Sequence, residues 1–598
     1  MMKTHNFHIP VMGIGFTIDT PIKVAHLGID SVISLVDDIL IEKLRKMYAT
    51  NFNQSYQEIT ENSEDFRAKR ISSYLNLVQE IAQHKFKELK DISNGVSESL
   101  KQYFDFYPET SSLKQQFNAL ISKHYDRSEL KNFLDENLKM GSIDVNIMTK
   151  VDKENIYKKE KLPTIYNDAH AALRGYANSE LVSSVIFSAG MNPRLYSYLE
   201  EFEDFYPNEN GMIKKKIVLK VSDYRSALIQ GKFLAKKGLW VSEYRIESGL
   251  NCGGHAFATD GYFLGPILAQ FRDQREEFIA ETAAVLSKAL TLKNRQVPEV
   301  SLPVKFTAQG GVGTAAEHDF LRKHYKLDSI GWGSPFLLVP EATTVDDETL
   351  EKISKAKESD LYLSNISPLG VPFHNLKGNT KDLEKAALIA KNRPGSSCPK
   401  KYVALNKELT DTGVCTASRQ YQHLRITALE KENLAPEIYQ KEYNKIIEKS
   451  CTCVGLGTSA LIKYNLDTKT EGEGVSICPG PNLAYFSKVV SLKEMIGHIY
   501  GECNVMERMD RPNIFVKELG IYVEYLQNKM EEVGNILDAK QHKYLSLFAN
   551  NLKEGIGYYK NLFQSNMPEF ENSYLKVLLE LKKSENILNN LNLERLMV

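Results

Sequence analysis

Over the first 345 residues, the pattern of hydrophobic and polar positions switches repeatedly between two periods. Residues 9–36 (IPVMGIGFTIDTPIKVAHLGIDSVISLV) predict a strand ending in glycines Gly13 and Gly15, a short helix after Pro21, and a second strand at Ser31–Val36. Six further β runs follow: IDVNIMTKV (143–151), LVSSVIFSAG (181–190), KIVLKVS (216–222), LWVSEYRIES (239–248), VKFTAQGGVG (304–313) and one within LDSIGWGSPFLLVPEA (327–342). Helical segments such as Asp223–Lys237 separate most of them. Strands alternating with helices over this length predict an α/β fold with a parallel sheet, open or closed into a (β/α)8 TIM barrel.

Two regions break the rhythm. Residues 38–140 are charged and poor in glycine, and Ile71, Leu75, Val78 and Ala82 recur at helical spacing. This stretch is expected to be a helical insertion with no chemistry of its own. Beyond about 345 the alternation stops. Residues 346–510 read as an irregular accessory region with clustered Cys, Pro and Gly. In 511–598 the face Val516, Leu519, Val523, Leu526, Met530 predicts helices packed on a neighbour. The expected organisation is a barrel start (1–37), the insertion (38–140), the rest of the barrel (141–345), the accessory region (346–510) and C-terminal helices (511–598).

Composition narrows the partners. The 75 basic and 76 acidic residues leave a net charge of −1, which gives no electrostatic reason to expect nucleic acid or an anionic membrane. The N-terminal apolar stretch is interrupted by His8, Pro10 and Asp19, so it makes a poor signal-peptide core, and no apolar run reaches the length of a membrane helix. Seven cysteines are too few, and odd in number, for a secreted disulfide scaffold. The expected location is cytoplasmic.

In a barrel of this kind, ligands bind where strands lead into helices. Gly13, Asn146, Ser222, Gly253-Gly254-His255, Gln309-Gly310-Gly311 and Gly333-Ser334 all fall at such points. Glycines there let backbone N–H groups approach a ligand, and N–H groups at a helix start favour a phosphate. QGGVGTAAEHDFL (309–321) has this form, with a helix start at Gly313 or Thr314. The same residues also suit plain turns, and His255 alone suits a structural histidine.

Six segments in order carry a resemblance: PVMGIG (10–15), Asp144-Val145-Asn146, SAGMNP (188–193), NCGGH (251–255), GGV (310–312) and GSPFLLVPEA (333–342). Together they resemble the flavin-dependent barrels of the nitronate monooxygenase (2-nitropropane dioxygenase) and FMN-type enoyl-acyl-carrier-protein reductase family. The resemblance spans 9–342, a little over half the chain. It implies FMN, with the phosphate held by the backbone of Gly310, Gly311 and Val312 and by Gly333-Ser334. It places Met12, Gly13 and Asn146 beside the flavin ring, adds Ser222, Gly254 and Gln309 to the cofactor set, and makes His255 the acid/base. A histidine suits that role because it titrates near neutral pH. NAD(P)H would dock only transiently. Asn251-Cys252 stand where the family has Glu-Ala, and the insertion and the tail are outside its minimal barrel. SPLGVPFHNLKG (367–378) is similar to the segment after the barrel in enoyl-reductase components of polyunsaturated fatty acid synthases. That points to reduction of a C=C bond in an acyl thioester or related small substrate, with nitronate oxidation as the alternative. A second class of reading is an inactive barrel serving as a binding module. A synthase-pathway partner or a homo-oligomer fits either reading.

Cys398, Cys415, Cys451, Cys453 and Cys478 lie in turn-like sequence, two of them before proline. Iron–sulfur clusters use thiolates in such loops, so the five form a candidate metal set; the paired spacing usual for zinc is absent. The alternative is that they are buried free thiols behaving as small apolar residues. Cys252 reads as a space-filling residue rather than a reactive thiol.

Overall fold

The computed structural model describes residues 5–122, 126–251, 260–508, 510–533, 538–564, 570 and 574–591. Eight strands close into a barrel: β1 (Phe7–Ile9), β2 (Asp30–Ser34), β3 (Ile143–Ile147), β4 (Ser184–Phe187), β5 (Lys216–Val221), β6 (Val241–Glu247), β7 (Lys305–Gln309) and β8 (Ser329–Gly331). Every neighbouring pair is parallel, and β8 closes on β1. Each strand falls within or beside a run marked by the sequence. The first is displaced: it ends at Ile9 rather than continuing into the glycines. Pro10 has no N–H to give the ladder, so the chain leaves the sheet there.

Register explains the composition of the strands. Partners across a parallel ladder point the same way, and successive residues point to opposite faces. Ser34 pairs with Asn146, Lys220 with Arg245, and Glu247 with Gln309. These side chains face into the barrel. Ile33, Val145, Leu219, Ile246 and Ala308 alternate with them and join the main apolar core under the helices. Inside the barrel, Val32, Ile186 and Val218 form a small separate apolar cluster with Val11. Polar residues lie on both sides of that plug, and those towards the carboxyl ends of the strands form the candidate site.

The insertion is helical, and Ile71, Leu75, Val78 and Ala82 are all fully buried. They lie on the helix Phe66–Lys90, which packs against the barrel helix Asp168–Ala177 and the helix Asp38–Asn51. The insertion therefore contributes to the barrel's outer layer.

The accessory region is more regular than its sequence suggests. It holds a hairpin, β9 (Leu361–Ser364) with β10 (Phe373–Leu376), and helices including Thr380–Ala390, Arg419–Glu430, Pro436–Glu448 and Thr452–Lys463. These helices are short and split by Pro and Gly, which hides their period. Nor does the region stand apart from the barrel. Lys400 Nζ lies 2.6 Å from Asp37 and 3.1 Å from Glu471, with all three side chains buried. The Tyr402 hydroxyl donates to Asp37 at 2.9 Å, and Asp37 also caps the helix Asp38–Asn51 by accepting the N–H of Leu40. At the C-terminal end, Leu519, Val523 and Leu526 are buried where the helices Ile514–Val533, Ala539–Gln564 and Tyr574–Asn590 pack together. Among the described residues, no helix is long and apolar enough to cross a membrane.

Candidate active site at the barrel mouth

A cavity of about 300 Å3 opens at the carboxyl ends of the strands. Gly13, Ser34, Asn146, Lys220, Glu247 and Asn251 form its barrel side. The accessory region supplies an apolar roof that includes Leu369, Val371, Phe373, Val403, Cys453 and Leu456. The roof sits tightly on the first barrel loop. Gly15 donates its N–H to the carbonyl of Leu456 at 2.9 Å, and a side chain at Gly15 would meet the backbone of Leu456 and Gly457 at 3.1 Å.

The floor is one polar network centred on Glu247. Its carboxylate accepts from Lys220 Nζ at 3.0 Å, from Asn251 Nδ2 at 2.6 Å and from Gln309 Nε2 at 2.8 Å. Gln309 Nε2 also reaches Asn251 Oδ1 at 3.3 Å. Two buried acceptors remain without a partner, Asn146 Oδ1 and Gln309 Oε1. A buried polar atom left unpaired costs about 1–3 kcal/mol, so one on the cavity wall and a second beside it mark a place where a ligand's donors are wanted.

Beside this floor runs the turn after β7, where Gly310 and Gly311 adopt φ of +106° and +86°. A Cβ at Gly310 would meet the backbone of Asn251 at 3.0 Å, which puts the turn directly against the cavity wall. Three side chains from the C-terminal part of the chain hold the turn's carbonyls. Gly311 accepts from Arg511 at 2.7 Å, Val312 from Asn482 at 2.9 Å and Gly313 from His498 at 2.9 Å. Arg511 is also paired with Glu317 at 2.7 Å, and Glu317 takes the N–H of Gly313. Among the described residues, none accepts from the N–H groups of Gly310, Gly311 or Val312. Thr314 caps the helix Ala315–His324, which starts at the end of the turn. Carbonyls tied back and N–H groups left open at a helix start are the arrangement an anionic group binds.

Neither a protein-family model nor a curated protein sequence matches the chain. Among solved structures it is similar to the enoyl reductase domain of MlnA from the macrolactin biosynthesis cluster of Bacillus amyloliquefaciens, with 15% identity over 71% of this chain and 89% of that one and a TM-score of 0.32. It is also similar to FabK from Thermotoga maritima (14% identity, 71% and 86% covered, TM-score 0.29). A nitroalkane oxidase from Streptomyces ansochromogenes matches at 9% identity, with 83% and 96% covered and a TM-score of 0.34. Similarities this remote add nothing to the site; the barrel rests on its own strand pairing.

The structure sorts the residues expected from sequence. Gly13 and Asn146 line the cavity, and Gln309, Gly310, Gly311 and Val312 lie beside it in the network and the turn. Met12 is buried next to the wall, with its N–H on the Thr17 hydroxyl. Ser222, Gly333 and Ser334 sit at the ends of β5 and β8 and are not part of the cavity wall. His255 and Gly254, with Cys252 and Gly253, lie outside the described residues. The sequence reading missed Ser34, Lys220, Glu247 and Asn251. Lys220 and Glu247 were detectable as charged residues on the inward beat of otherwise apolar strands.

The structure places all five cysteines of the candidate metal set in the interior. Among the described residues, no group of three or more His, Cys, Asp or Glu is arranged to hold a metal ion. Cys478 lies in a small apolar cluster with Ile366 and Phe373. The other four are buried thiols in two pairs. The hydrogen bond between Cys398 and Cys415 lowers the first and raises the second. The same contact between Cys453 and Cys451 brings Cys451 down to about 7 and pushes Cys453 well up.

One buried acid stands behind the site. Glu518 accepts the N–H of Leu264 at 2.9 Å, and burial raises its carboxyl to about 7. Folding therefore favours its protonated form. Stability is lost as pH rises from the unfolded value near 4.5 through about 7, by about 3 kcal/mol in total. Glu518→Gln should remove that slope. Urea unfolding of both proteins from pH 4 to 8 is expected to show the variant gaining about 3 kcal/mol over the parent; parallel profiles would refute the assignment.

Proposed function

We propose that the chain is an FMN-dependent oxidoreductase that reduces a C=C bond in an acyl thioester. The observation that carries this reading is an unmatched acceptor on the cavity wall, Asn146 Oδ1, with a second, Gln309 Oε1, and the open N–H groups of Gly310–Val312 beside it. A flavin mononucleotide has the matching chemistry: a phosphate for the turn, and a ring N–H and ribityl hydroxyls as donors for the acceptors. When bound, it supplies hydride and single-electron transfer.

In this reading Gly310, Gly311 and Val312 hold the phosphate, with Gly333 and Ser334 nearby. Asn146 and Gln309 accept from the polar edge of the ring. Glu247 fixes Lys220, Asn251 and Gln309, so the floor is set before the ligand arrives. Leu369, Phe373 and Leu456 exclude water above it and offer apolar surface to an acyl chain, which favours an acyl thioester over a nitronate. His255 carries the proton that accompanies the hydride, and NAD(P)H docks transiently as donor.

Titration with FMN, followed by quenching of flavin fluorescence, tests the reading. The parent protein should bind one FMN, and Asn146→Leu should weaken binding about tenfold, the worth of one good hydrogen bond. The same variant removes an unpaired buried acceptor, so its unfolding midpoint should not fall. A parent protein that neither carries nor takes up FMN would rule the reading out.

A further inference from the structure

The flavin reading leaves two pairs of buried thiols unused, and one member reaches the cavity. Cys451 is the N-cap of the twelve-residue helix Thr452–Lys463, and Cys453 is its second residue. Cys453 lies on the cavity wall, with Cys451 directly behind it and 2% exposed. Residues two apart in a helical turn have Cα atoms about 5.4 Å apart, inside the range a disulfide spans. A helix N-terminus also favours a thiolate at these positions.

The second pair is built against the first. A bridge between Ser396 and Ser418 brings the Cys398 and Cys415 strands of chain together. Thr416 donates its hydroxyl to the Pro368 carbonyl, and Ser450 donates its N–H to the Ile366 carbonyl, so both pairs hang from one short segment. Cys453 feels the charges of both Cys398 and Cys415.

We propose that Cys451 and Cys453 are a redox dithiol, which a small hydroperoxide entering the cavity oxidises to a disulfide and which Cys398 and Cys415 reduce again. The Cys453 sulfur attacks the peroxide as its own thiol proton is released towards the departing oxygen. An S–O bond forms, the O–O bond breaks, and the departing oxygen takes a proton to leave as alcohol or water. The Cys451 sulfur then attacks Cys453. The S–S bond forms, the S–O bond breaks, and the hydroxide leaves as water with the last thiol proton. The sum is two thiols and one hydroperoxide giving one disulfide, one alcohol and one water. Exchange then passes the two electrons from the Cys398–Cys415 dithiol to this disulfide, leaving the inner pair oxidised.

Peptide mapping tests this without turnover and therefore separately from the flavin reading. The reduced full-length protein is treated with hydrogen peroxide in steps, its free thiols are alkylated, and it is digested with trypsin. Both cysteines fall in one tryptic peptide, 450–463. A brief exposure to one equivalent should cost this peptide two hydrogens and its alkylation, and continued incubation should move the disulfide to Cys398–Cys415, joining peptides 392–400 and 408–419. Cys503, exposed among the described cysteines, should react roughly tenfold more slowly. Cys451→Ser should leave Cys453 as a sulfenic acid that a dimedone probe labels; if that variant does not fold, the parent map still decides. Oxidation of Cys503 with all four buried thiols still alkylated would overturn the proposal. Stoichiometric iron or zinc in the purified protein would overturn it too, by making the thiols ligands.

Discussion

Replacing Lys400 with alanine is expected to cost about 3–5 kcal/mol of stability, a large fraction of what holds a domain of this kind together. Lys400 lies 2.6 Å from Asp37 and 3.1 Å from Glu471, and its side chain is 1% exposed. Burial works against its charge, but Asp37 and Glu471 outweigh that, so its ammonium is held above the usual lysine range. Without it, Asp37 keeps only hydrogen bonds from Tyr402, Leu40 N–H and their neighbours, while its carboxylate stays buried. Glu471 keeps Lys43 at 3.0 Å. The loss should therefore fall mainly on Asp37, and a Lys400→Ala, Asp37→Asn double variant should recover part of it. Thermal and urea unfolding of the four proteins of the cycle measure the effect. A loss below about 1 kcal/mol would mean that the pair behaves like an exposed one. The effect also bears on function: Asp37 follows the strand carrying Ser34, and Lys400 precedes Val403 of the cavity roof. The same ion pair joins floor to roof.

Gly311→Val should abolish tight FMN uptake. At φ +86° a β-branched residue is strained, and its Cβ would lie 2.4 Å from the Leu250 side chain. The turn must shift and take its N–H groups with it. Hydrogen bonds to a charged phosphate are worth about 1.5–3 kcal/mol each, so losing two weakens binding at least a hundredfold. Riboflavin, which lacks the phosphate, separates this from general damage to the site. Its affinity should fall far less than that of FMN when both are titrated into parent and variant. Equal losses for the two ligands would mean that the turn does not hold a phosphate.

Much of the barrel was legible because parallel strands carry their own signature. Runs such as KIVLKVS and VKFTAQGG are short, β-branched and end in small residues, and each became a strand of the ladder. The insertion's helical face was equally plain, since Ile71, Leu75, Val78 and Ala82 sit on a single stripe. The site was legible only in part. Gly310, Gly311, Asn146 and Gln309 could be marked by their place at strand ends. The roof could not, because Leu369, Phe373, Cys453 and Leu456 come from segments with no periodic pattern. The link between Asp37 and Lys400 spans 363 positions of chain, and no local pattern encodes it.

By itself the sequence determined the local elements: which runs become strands, which stretches become helices, and where glycines permit a turn with open N–H groups. Those properties follow from side-chain period and backbone freedom, which act over a few neighbouring residues. Tertiary structure alone decided what the turns face. It closed the sheet so that Lys220, Glu247 and Gln309 share one interior, set the accessory region over them as a roof, and brought four cysteines together as two hydrogen-bonded pairs. These outcomes depend on burial and charge pairing between segments far apart in the chain, where the energy of each group is set by what folds against it.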